Sequence, residues 1–94
     1  MILSYRDART ERFARGERVK QLEPFRRQAE NKLVRLEVAT SLVELGALRG
    51  NRVEKLGGDR KGQWSMRIND QWRICFKWQD GAPGPSEVEI VDYH

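Results

Sequence analysis

The 94-residue chain contains one cysteine, Cys75, and one histidine, His94. A lone cysteine excludes an intrachain disulfide framework and a cysteine-based zinc site, and one His with one Cys makes no metal-ligand motif. No cofactor or metal is therefore expected. No apolar run approaches the roughly 18 residues that a membrane-spanning helix needs. The opening MILSYRDARTERF turns charged after five residues and has no long apolar stretch, so it does not read as a secretory signal. The expected compartment is the cytoplasm. Walker and dinucleotide fingerprints are missing, and Gly57-Gly58-Asp59-Arg60 reads as a tight turn. There is no internal repeat, linker or low-complexity tract.

What remains suits one compact domain over residues 1–94. Hydrophobic residues make up 38% of the chain, enough for a globule but only for a small core. Eighteen Lys and Arg against fourteen Asp and Glu leave a net charge of +4. The excess lies in residues 1–60, and arginine, suited to bidentate phosphate contacts, dominates it. Nucleic acid is the first partner this suggests; a solvated surface of mixed charge is the plainer explanation.

Met1–Tyr5 reads as an opening strand. Asp7 caps a short helix running to Arg15, and Gly16 stops it. Leu22, Phe25, Ala29, Leu33 and Leu36 recur at spacings of three and four, which predicts a helix from Leu22 to Ala39 with Pro24 in its first turn. Glu23 and Arg27 have the favourable order for an ion pair, and Arg27, Asn31 and Arg35 face water or a ligand. Ser41 and Glu44 are spaced as a capping box for another turn reaching Leu48.

The period then becomes two. Trp64, Met66 and Ile68 alternate with Gln63, Ser65 and Arg67, and Trp72, Ile74, Phe76 and Trp78 alternate with Arg73, Cys75 and Lys77. Asn69-Asp70-Gln71 joins these as a hairpin turn. Val53–Leu56 and Glu87–Tyr93 read as flanking strands, with a loop over Asp80–Ser86. The order implies an α+β protein with an antiparallel sheet. If the aromatic face packs on helices, Arg67 and Arg73 share the other face, which is expected to be basic.

The residues that carry chemistry are few. Asp92, Tyr93 and His94 end the chain after a strand, placing a carboxylate, a phenol and an imidazole at one sheet edge. With Arg73 near them, the set suits RNA cleavage, which needs a base for the 2′-hydroxyl, a cation for the charged transition state and an acid for the leaving oxygen. Strand order, which decides that proximity, is not given by the sequence. Cys75 reads as packing, the serines have no evident base partner, and the three Trp read as core.

Two segments, LGGDRKGQWSMRINDQWRICF at 56–76 and VEIVDYH at 88–94, strongly resemble the HigB toxins of the RelE/ParE superfamily of bacterial toxin–antitoxin systems. The resemblance runs from the first strand to the last residue and is densest from residue 51. It implies a RelE-like fold: an N-terminal strand and two to three helices packed on a small antiparallel sheet. It implies a ribosome-dependent mRNA endonuclease that cuts in the ribosomal A site, and a HigA-like helix-turn-helix antitoxin that represses the shared operon at its operator DNA. By matched position, His94 serves in acid/base work, Asp92 and Tyr93 orient the RNA or the histidine, and Arg73 stabilises the scissile phosphate. Arg67, Arg60, Lys61, Lys55, Arg27 and Arg35 are the implied RNA contacts. Some relatives carry lysine where this chain has Gly57 and arginine where it has Asn69; Arg67 is the stand-in for the second, and Lys55, Arg60 or Lys61 for the first. A ParE-like gyrase inhibitor shares the superfamily fold, and an attenuated toxin acting mainly in operon autoregulation fits the two departures.

Overall fold

The computed structural model describes residues 1–92; Tyr93 and His94 lie outside the described residues. Helix α1 spans Ala8–Ala14. The Asp7 carboxylate accepts from Thr10 N at 3.0 Å, and Gly16, at φ +93°, turns the chain out of the helix. A 3-10 turn over Lys20–Phe25 then leads into α2, Arg26–Val38. The single helix expected from Leu22 to Ala39 is thus broken at Phe25, whose φ of −131° and ψ of 30° are not helical. The neighbouring Pro24 has no N–H to continue an α-helical ladder. The break re-pairs the charges: Glu23 meets Arg26 at 3.0 Å rather than Arg27. The apolar stripe survives it, with Leu22, Ala29, Leu33, Leu36 and Ala39 all buried.

Helix α3 spans Leu42–Ala47. Ser41 Oγ accepts from Glu44 N at 3.0 Å, while the Glu44 carboxylate returns to Thr40 N at 3.2 Å, one residue beyond the expected box partner. A 3-10 turn over Arg49–Asn51 follows.

Strands β1 (Glu54–Lys55), β2 (Trp64–Arg67), β3 (Trp72–Lys77) and β4 (Ser86–Asp92) form an antiparallel meander in the order β1-β2-β3-β4. Asn69 Oδ1 closes the β2–β3 hairpin by accepting from Gln71 N at 2.9 Å and Trp72 N at 2.8 Å. Between Cys75 and Lys77 the β3–β4 register shifts, and Glu87 sits there in the left-handed region at φ 51°. That is a β-bulge, which lets Val88 and Ile90 keep facing the core.

Met66, Ile68, Ile74, Phe76, Val88 and Ile90 pack from the sheet onto Phe13, Leu22, Leu33, Leu36 and Leu45 from the helices. The opening run is not a strand: it meets β4 in a single parallel bridge, Tyr5 with Val88. Ile2 N donates instead to the Glu37 carboxylate at 2.8 Å, which draws the first residues toward α2. Further along the same edge of β4, helix α1 supplies the partners. Thr10 Oγ1 accepts from Ile90 N at 3.0 Å, and Arg9 Nη2 donates to Ile90 O at 2.7 Å.

Thr10 is completely buried, so its hydroxyl cannot be replaced by bulk water. Thr10→Val, nearly the same shape, leaves Ile90 N without its acceptor and is expected to lower the unfolding free energy by about 1–3 kcal/mol. Urea denaturation measures it; an unchanged midpoint would assign the edge no role in stability.

Candidate functional site

The face of the sheet turned away from the helices carries Glu54, Ser65, Arg67, Arg73, Cys75, Glu89 and Val91. Register puts Arg67 directly opposite Arg73, and Arg73 opposite Val91. The shared face expected for the two arginines is therefore present. It is not simply basic. Strands β1 and β4 bring glutamates to the same side, and ion pairs cross it: Arg73 with Glu54 at 3.7 Å, Arg60 with Glu89 at 3.2 Å, Arg6 with Glu89 at 3.8 Å and Lys77 with Glu87 at 2.9 Å. Arg67 pairs with Asp70 of the hairpin turn.

Nor is this face open. Ser65 and Cys75 are completely buried on it. Burial pushes the Cys75 thiol's pKa up, the charges of Arg60, Glu89, Arg73 and Arg6 acting on it less strongly. Such a thiol is a poor nucleophile, in keeping with a packing role.

Arg73 is held closely. Its side chain is only 14% exposed. Nε donates to Ser65 Oγ at 2.9 Å, and Nη2 donates to the carbonyl of Arg52 at 2.9 Å. Arg52 is itself unusual, sitting in the left-handed region at φ 43° and ψ 57° immediately after the Arg49–Asn51 turn. A non-glycine residue held there costs about 1–3 kcal/mol, which the surrounding structure must over-determine. Asn51 does so. It is completely buried, donates through Nδ2 to Leu45 O at 2.9 Å, and accepts at Oδ1 from Lys32 Nζ at 3.3 Å and Arg35 Nη1 at 3.1 Å.

Strand order answers the question of proximity in part. Strand β4 lies beside β3, but Val91 pairs with Arg73 and Asp92 with Trp72, so alternation puts the Asp92 position on the sheet face opposite that of Arg73. Gln71 Nε2 donates to the Asp92 carboxylate at 3.0 Å. The expected roles of Tyr93 and His94 fall on residues outside the described range. Arg60 lies farther along the same face, near Glu89. Lys61 is exposed beside it. Lys55 sits on the edge strand with its ammonium 6.0 Å from the Trp64 ring centroid. Arg27 and Arg35 are both exposed on α2, and Arg35 alone reaches the Asn51 turn. At 1.5 Å per residue, Arg27 is about 12 Å farther back along the helix.

A guanidinium tied at two positions presents its charge in one orientation, the pre-organisation that stabilising a pentacoordinate phosphate requires. The chain matches the family described as RelE-like toxin of type II toxin–antitoxin system HigB over residues 3–94. It belongs to that family. It is 36% identical over 86 residues to Toxin HigB-1 of Vibrio cholerae serotype O1, covering 87% of this chain and 88% of that protein. It is 34% identical over 62 residues to Endoribonuclease HigB of Proteus vulgaris, covering 64% of this chain and 65% of that one. The helices on a four-stranded antiparallel sheet agree with a RelE-like fold. Membership in the HigB-like family makes the chain a type II toxin with an antitoxin for a partner.

Residue reasoning missed Ser65, Arg52, Asn51 and Glu54. Parity already put Ser65 on the face of Arg67 and Arg73, so its contact was open to inference. The Arg52 carbonyl carries no side-chain signal. Ser65→Ala, which removes the acceptor of Arg73 Nε, is expected to raise the expression level needed for growth arrest by about tenfold, with antitoxin binding retained. Ser65→Thr keeps the hydroxyl and is expected to restore most of the toxicity. Equal toxicity of wild type and Ser65→Ala in a titrated-induction assay would remove Ser65 from the site.

Proposed function

We propose that this toxin is a ribosome-dependent endoribonuclease that cuts mRNA at codons in the ribosomal A site and so stops translation. The observation that carries the reading is the fixed Arg73 guanidinium, tied by Ser65 and Arg52, on the strand adjoining the one that leads through Asp92 to Tyr93 and His94. The name of the Proteus vulgaris relative, an endoribonuclease, supports it. In this reading residues 1–94 form one toxin domain acting in the cytoplasm.

Cleavage requires the 2′-oxygen to lose its proton and attack the adjacent phosphorus, while the bond to the 5′-oxygen breaks and that oxygen gains a proton. His94 is the acid/base group, and Asp92 and Tyr93 orient it or the RNA. Arg73 meets the negative charge that builds on the phosphoryl oxygens, the term usually worth most in such a site. Arg67, directly opposite, supplies a second cation, with Arg60, Lys61, Lys55, Arg27 and Arg35 as further contacts to RNA. The chemistry needs no metal. The ribosome supplies the position of the codon, which is why so small a set of residues suffices. The antitoxin in this reading is HigA-like, with a helix-turn-helix domain through which the pair binds operator DNA.

Primer extension on a reporter mRNA in a reconstituted translation system tests the reading. Wild type is expected to give cuts within A-site codons only when ribosomes are present. Arg73→Ala and His94→Ala are each expected to lose at least about a hundredfold in rate while still binding antitoxin. No cuts under any condition would overturn the nuclease, and a DNA supercoiling assay would then decide for or against gyrase inhibition.

A further inference from the structure

A groove of about 510 Å³ opens between the first residues of the chain, the end of α1 and one face of α2. Phe13 and Leu33, both buried, form its base, with Ile2, Tyr5 and Val34 around them. Val34 is 59% exposed, and Val38, one turn farther along α2, is 67% exposed. The two valines continue the groove as an apolar stripe that faces water. Glu30 and Glu37 also line the groove, and among the described residues no lysine or arginine does, although the chain carries a net charge of +4. Each carboxylate is held through one oxygen: Glu30 Oε2 accepts from Arg26 Nε at 3.2 Å, and Glu37 Oε2 from Ile2 N at 2.8 Å. A carboxylate has about four acceptor sites, so both can take a further donor. Burial raises the Tyr5 pKa, and Glu37 and Glu11 raise it further against the smaller, opposite pull of Arg15. A basic protein thus carries one groove that is apolar at its base and acidic beside it.

We propose that this groove receives a segment of the antitoxin in which apolar side chains flank a lysine or arginine. Membership in a type II toxin family supplies the partner. The groove has the make-up that a stable complex needs, an apolar centre beside polar groups, and an apolar patch left open on a small protein marks an interaction site. The outer face of the sheet offers no such centre, since its charges are already paired across the strands. Charge decides which kind of segment enters. An acidic one would set its carboxylates against Glu30 and Glu37. A basic one gains an ion pair and keeps the apolar contacts with Phe13, Leu33 and Val34. Val34 and Val38 follow the axis of α2, so a partner helix laid along them meets them with side chains three and four residues apart. The groove shares no residue with the Arg73 face, and the proposal stands whether or not the toxin cuts RNA.

Calorimetry with the whole toxin and the purified antitoxin of the shared operon tests the groove, with circular dichroism verifying the folding of each variant. Val34→Asp is expected to weaken binding at least about tenfold, because a charge enters the apolar contact. Val43→Asp makes the same change at a valine on α3 that is 84% exposed and lies outside the groove, and is expected to alter affinity by less than about twofold. Glu30→Gln/Glu37→Gln is expected to weaken binding about tenfold and to flatten its dependence on salt. In cells, Val34→Asp is expected to arrest growth at an antitoxin level that neutralises wild type, a gain that a misfolded toxin cannot show. Equal affinity of wild type and Val34→Asp, or equal losses in Val34→Asp and Val43→Asp, would overturn the groove as the antitoxin's site. Tighter binding by Glu30→Gln/Glu37→Gln would overturn the basic segment. A toxin that dimerises alone in the ultracentrifuge, and turns monomeric as Val34→Asp with antitoxin affinity intact, would give the groove to a second copy and overturn the proposal.

Discussion

A chain of 94 residues builds one sheet and one layer of helices, which leaves the second face of the sheet without a second layer. That face cannot be apolar, yet the interior of a small protein gains from every buried strand. The structure resolves the conflict with long charged side chains. Arg73 bonds Ser65, Arg60 and Arg6 pair with Glu89, the register partner of Cys75, and Ser65 and Cys75 are as fully buried as the helix-facing Ile74 and Phe76. The hydrocarbon stems supply the cover while the charged heads pair along the rim. The candidate site follows from this arrangement. Arg73 is kept in place because it is part of the lid over the sheet, and the same restraint aims its guanidinium.

The Asn51 corner serves that restraint from outside the sheet. One buried amide ties α2, α3 and the turn that precedes β1. Arg52 follows in the left-handed conformation, and its carbonyl accepts from Arg73 Nη2. Strain at Arg52, convergence of two cations on Asn51 and immobilisation of Arg73 are thus one connected arrangement rather than three local curiosities. Each costs stability by itself, and local rules fail together where a functional site is expected.

How much of this the sequence discloses depends on whether the determining force is local. The alternation from Trp64 to Trp78 reveals the hairpin, its turn and the common face of Arg67 and Arg73, because side-chain parity is a property of each strand alone. The Asp7 cap and the stripe on α2 are legible for the same reason. Met1–Tyr5 misleads because apolar content does not set the length of a ladder: the chain from Leu3 to Arg6 bonds the backbone only at Pro85 and Val88, while Ile2 turns to Glu37. Arg67 and Arg73 by themselves make the face around Arg73 basic, but Glu54 and Glu89 arrive on it from other strands, which hairpin parity does not reveal. Asn51 and Arg52 stay silent for a deeper reason: their roles lie in a buried amide and a backbone carbonyl, whose partners are 6 to 21 residues away.

The two positions at which this chain departs from its resemblance can be judged physically. Asn69 is occupied with folding: its side-chain oxygen accepts the two N–H groups that close the hairpin. An arginine there lacks an acceptor, so it would bring a cation at the cost of the turn. Arg67 avoids that conflict. It lies two residues earlier, within β2, where register rather than the turn places it opposite Arg73. Gly57 is different. Its backbone is extended, at φ −121° and ψ −165°, and a Cβ there would meet nothing. A lysine would be tolerated, so no backbone constraint demands glycine. None of the three stand-ins for the cation missing at residue 57 lies opposite Arg73 as Arg67 does: Lys55 pairs with Trp64 in the β1–β2 register, Arg60 is engaged with Gln63 and Glu89, and Lys61 is exposed in the turn before β2. If the toxin is weak, the weakness traces to residue 57 rather than to residue 69.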